Sequence, residues 1–80
     1  MGIEYKIKFA VPSGYDPSSL FKRLPSPIAG GMVEIYNYSI EPDGFYFVDH
    51  RVDHEVASIA LRRFIDEALG QAQSIEIVEP

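Results

Sequence analysis

Asp49-His50-Arg51-Val52-Asp53-His54-Glu55 gathers both histidines of the chain and three carboxylates within one short stretch. Imidazole and carboxylate ligate zinc and can activate a water, so Asp49, His50, Asp53 and His54 are the first candidates for chemistry. Their placement argues for something plainer. His50 closes a strand pattern and His54 opens a helical one, so the two rings do not share a helix face as paired ligands do. Arg51 adds a positive charge that a cation would oppose. Asp53 is placed to cap the helix that follows, and Glu55 falls in its positive first turn. No other stretch resembles a nucleophile elbow, a phosphate-binding glycine loop or a zincin helix. No catalytic residue, metal ligand or cofactor is assigned, and the chain is expected not to be an enzyme.

The second constellation is aromatic. Tyr36, Tyr38, Phe45, Tyr46 and Phe47 are five of ten aromatic residues and crowd two neighbouring strand patterns. In a sheet with one covered face, one parity of each strand fills the core and the other points outward. Two or three of these rings are therefore expected outside, beside Lys6 and Lys8 of the first strand. The expected interaction face is Lys6, Lys8, Tyr36, Tyr38, Phe45 and Phe47, since an exposed aromatic patch usually has a partner.

The elements that must position these residues are legible from period and punctuation. Ile3, Tyr5, Ile7, Phe9 and Val11 alternate with Glu4, Lys6, Lys8 and Ala10, the pattern of a half-buried strand. Asp16 and Pro17 open a short helix carrying Leu20, Phe21 and Leu24, and Pro25 ends it. A second strand spans residues 32 to 40. Glu41-Pro42-Asp43-Gly44 is a tight turn, and residues 45 to 49 complete a hairpin. A second helix over residues 54 to 69 buries Val56, Ala57, Ala60, Leu61, Phe64 and Ala68, with Gly70 placed to stop it. Residues 74 to 78 form a last strand. With right-handed crossovers this α+β order, βαββαβ, resembles the ferredoxin-like split-βαβ sandwich. The resemblance implies one domain over residues 1 to 80. It further implies a four-stranded antiparallel sheet in the order 4-1-3-2, with two helices on one face.

Gly44-Phe45-Tyr46-Phe47-Val48-Asp49-His50 resembles the third-strand signature of the RNA recognition motif, which implies base stacking on Phe45 and Phe47. The chain departs from that family at Asp43, where a base stands, and at Tyr46, where a small residue stands. Its first strand also offers no exposed aromatic. Pro12, Gly14 and Leu20 are loosely similar to the loop of ACT domains, which implies small-ligand sensing. Acylphosphatase shares the topology, but residues 12 to 15 lack the arginine of its phosphate cradle.

Composition narrows the functions further. The chain has no cysteine, which removes the iron–sulfur clusters and CxxC metal delivery best known on this architecture. Twelve acids against seven bases give a net charge of −5, opposite in sign to a phosphate-binding domain. No run approaches the length of a membrane span, and the first residues lack the basic and apolar stretches of a signal peptide. The expectation is a non-catalytic cytoplasmic interaction module that takes no cofactor and associates through its open sheet face or an edge strand. The expected partner is a second copy, since two self-complementary patches close into a homodimer about a two-fold axis, or else another protein, with no membrane involved. Single-stranded nucleic-acid binding on the same face is the alternative, and ligand sensing of the ACT kind the third reading.

Overall fold

The computed structural model describes residues 2–80. Strand β1 (Ile3–Lys8) turns Ile3, Tyr5 and Ile7 to one face, as its alternation requires. Phe9 continues into the core beyond the strand end. Helix α1 (Ser18–Arg23) is a turn and a half long, and Asp16 Oδ1 accepts the Ser18 N–H at 3.0 Å at its start. Leu24 is already extended, because Pro25 disfavours helical angles before it.

The second strand begins later than the sequence pattern indicates. Gly31 takes φ 77°, so residues 27 to 35 double back on themselves. Ala29 N–H donates to the Val33 carbonyl and Ile35 N–H to the Pro27 carbonyl, each at 2.7 Å. Only then does β2 (Tyr36–Glu41) start, followed by the Pro42–Asp43 turn and β3 (Gly44–Asp49). Tyr38 stands opposite Phe47 and Ile40 opposite Phe45.

Helix α2 (His54–Gln71) is capped as expected, with Asp53 Oδ1 accepting the Val56 N–H at 3.1 Å. Gly70 does not stop it. The helix runs through this glycine, a cost of only about 1 kcal/mol, and ends at the extended Ala72, whose N–H returns to the Ala68 carbonyl. Half-buried Ala72 packs on the core, which holds the exit in place. The last strand, β4 (Glu76–Val78), is three residues long.

The sheet order is β2-β3-β1-β4, the expected 4-1-3-2 read from its other end, and every pair is antiparallel. Leu20 of α1 and Ala57, Ala60, Phe64 and Ala68 of α2 pack with Ile7, Tyr36, Phe45 and Phe47. The four strand residues share one face by register, so both helices cover that face and leave the other open. Small residues along α2 let the helix approach closely enough for Phe64 to meet Tyr38, Phe45 and Phe47, with ring centroids 5.1–5.7 Å apart. Among the described residues no helix is long and apolar enough to cross a membrane.

Candidate functional site

The register divides the expected interaction face between two sides of the sheet. Lys6 and Lys8 point to the open face. Tyr36, Tyr38, Phe45 and Phe47 all point under the helices, and Tyr36, Phe45 and Phe47 are 0% exposed. The expectation of two or three aromatics outside beside the lysines is corrected accordingly. The tight turn sets this outcome: it pairs Glu41 with Gly44, so counting back by twos puts 39 with 46 and 37 with 48 on the open side and leaves 40 with 45 and 38 with 47 under the helices. The sequence contains that signal, since Asn37, Ser39 and Glu41 occupy the alternate positions of β2. Burial and the neighbouring Tyr38 push the Tyr36 phenol up to about 12, and its hydroxyl donates to the Pro25 carbonyl at 2.5 Å.

The open face is a polar lattice. Its one aromatic among the described residues is Tyr46, whose hydroxyl donates to Glu4 at 2.6 Å; that bond and partial desolvation raise the phenol's pKa. Lys6, with its side chain only 12% exposed, is bound by two carboxylates of the β2–β3 turn, Glu41 and Asp43, the latter at 2.6 Å. Burial pulls the Lys6 pKa down, but the hydrogen bonds to Asp43 and Glu41 outweigh it and leave it raised. The same Lys6 bond holds the Asp43 carboxyl below its usual range. Lys8 stays exposed beside a shallow cleft of about 350 Å³, lined by Phe9, Asp43, Ser74, Ile75 and Glu76. With Lys6 held by two carboxylates the open face offers little to a phosphate backbone, and Phe45 and Phe47, the two rings that would stack bases, are closed off.

The polar cluster disperses in the same way. Asp49 Oδ1 accepts the Arg51 N–H at 2.7 Å, which supports Arg51 at φ 62°, and Asp53 serves as the helix cap. His50 turns away to Asn37 on β2, and the Asn37 amide donates to Glu34 at 2.8 Å. His54 sits exposed in the first turn of α2. Among the described residues no three His, Asp or Glu side chains converge as metal ligands.

The sequence points to an edge strand as a second surface without showing which residues of it are free. β2 is an outer strand, and among the described residues its backbone from Asn37 to Glu41 bonds to β3 alone. Just before it the edge is covered: Ile28 bridges Glu34, and Pro27 accepts from Ile35. Along its helix side lie Tyr38 and Phe21 of α1, 36% and 41% exposed, with ring centroids 5.6 Å apart. Natural sheets protect such edges with lysine, proline, bulges or covering loops. Between Asn37 and Ile40 this strand has no charge, proline or glycine.

Comparison with protein-family models, with curated proteins and with solved structures finds no match for this chain.

Proposed function

We propose that this chain is a ferredoxin-like association module of the cytoplasm, without a catalytic step of its own, that binds protein through the free edge of β2. Strand order, antiparallel pairing and the one-sided helix layer support the ferredoxin-like description. The observation that carries the reading is the unguarded backbone from Asn37 to Glu41, with the exposed Phe21–Tyr38 pair beside it. Strand addition at such an edge takes its affinity from main-chain hydrogen bonds and its selectivity from side-chain contacts on either face. The open face supports association less well, because Lys6 and Tyr46 are already held by carboxylates of the same chain.

Affinity capture with three forms of the chain tests this. Ser39→Lys places a guarding charge on the edge, and Lys8→Glu alters the open face instead. Partners held by the wild-type chain and by Lys8→Glu, but lost from Ser39→Lys, are the expected result. Loss with Lys8→Glu and retention with Ser39→Lys would move the binding surface to the open face.

A further inference from the structure

Resting on the edge reading, we infer that the strand received by β2 is the β2 of a second copy, paired antiparallel about a two-fold axis at Ser39. The free window decides the register. Pairing is closed before residue 37 by the segment that bonds to Ile35, and β2 ends at Glu41. Two copies sharing that window under a two-fold axis must place its midpoint, Ser39, opposite itself. A strand that continued straight past Glu41 would run into Pro27, whereas β2 turns back at Pro42 and Asp43.

The same register is chemically consistent at every position. Ser39 faces Ser39 of the other copy on the open side. Tyr38 faces Ile40 on the helix side, an aromatic with a β-branched residue, which is a favourable cross-strand pair. Phe21, already against Tyr38, extends this apolar strip. Asn37 faces Glu41, an amide opposite a carboxylate, so no acid opposes an acid. Each copy carries a net charge of −5, but the edge from Asn37 to Ile40 has no charged side chain and Glu41 is already paired with Lys6 of its own copy. Pairing consumes both β2 edges, and the joined eight-stranded sheet is bounded at each end by the three-residue β4, so growth stops at two copies.

The absence of cysteine makes the test direct. Directly opposite residues in antiparallel strands have Cα atoms about 4.5–5.5 Å apart, within disulfide reach. The wild-type chain should sediment as a dimer at micromolar concentration and tighten with added salt as screening weakens the repulsion between copies. Ser39→Cys should oxidise to a covalent dimer, while Asn37→Cys and an exposed control, Ser13→Cys, should not. Asn37→Cys with Glu41→Cys in the same chain should restore cross-linking. Ser39→Lys should weaken the dimer roughly 30-fold, with the circular dichroism of the monomer unchanged. A monomeric wild-type chain overturns the inference and leaves the edge reading to the capture experiment. A dimer in which Lys8→Cys cross-links and Ser39→Cys does not overturns both.

Discussion

The two faces of this sheet use their large side chains in opposite ways. Beneath the helices, Phe45 and Phe47 alternate into a ring cluster with Tyr36, Tyr38 and Phe64, and stability there depends on volume. On the open side, Tyr46 and Lys6 from the neighbouring strand are fixed by hydrogen bonds to carboxylates at the rim. Residues adjacent in sequence thus belong to different physical regimes. An aromatic-rich strand is not evidence of an aromatic surface until its register is known.

Gly44 tests where the comparison fails. It stands at an open-face position, yet at φ 148° an added Cβ would lie 1.9 Å from the Ile7 carbonyl oxygen. Gly44→Ala should cost more than about 4 kcal/mol, or abolish folding, in urea unfolding. A loss below about 1 kcal/mol would show that β1 and the turn can separate. Phe47→Ala should cost about 3–5 kcal/mol by leaving a cavity among rings. Its neighbour Tyr46→Ala should cost about 1 kcal/mol or less. Equal losses in the two unfolding curves would refute the assignment of faces.

Smaller effects compare the ionic groups of the two sides. Glu67 on α2 accepts from the Tyr15 hydroxyl at 2.6 Å and from Arg23 at 2.7 Å, and its side chain is 11% exposed. Burial first, and then this bond, raise the pKa of Tyr15. Glu67→Gln removes a charged acceptor from both donors and should cost about 1.5–3 kcal/mol in chemical denaturation. On the open side the Lys6 cluster should matter mainly through pH. The Asp43 pKa is lowered on folding, so its contribution is present above the ordinary carboxylate range and fades as pH falls through the depressed value. The Lys6 pKa is raised, so its contribution is complete below 10.5 and is lost as pH rises through the higher folded value. Lys6→Met should flatten both limbs of the melting temperature against pH by lowering the neutral value, where both contributions are present, more than the values at the extremes. Unaltered limbs would show that the cluster does not couple to folding.

The sequence shows most of the fold because local rules and tertiary demands agree there. The alternation from Ile3 to Val11, the turn at residues 41 to 44 and the Asp53 cap each specify their element independently. It is less informative at residues 32 to 35, where an apolar stretch resembles a strand but glycine backbone freedom makes a reversal. Gly70 misleads for a related reason: glycine permits a helix to stop without forcing it to. The candidate site was harder to read: the expected order 4-1-3-2 already puts strand two outermost, but how much of that edge is free depends on the reversal over residues 27 to 35, which covers Ile35 and leaves Tyr38 and Ser39 open.

β1 occupies the middle of the sheet, between β3 and β4, although it precedes both of them in the chain. At about 5–20 residues per second, seconds pass between synthesis of Lys8 and of its partner Gly44, and Val78, which pairs with Lys6, comes later still. During that interval Ile3, Tyr5, Ile7 and Phe9 form an alternating apolar segment on a nascent chain with no neighbour. Glu4, Lys6 and Lys8 interrupt that segment, as gatekeeper charges do beside unavoidable hydrophobic strands. Glu4, Lys6 and Lys8 are therefore placed where they would oppose pairing of the emerging strand with another chain, before they serve as members of the open face.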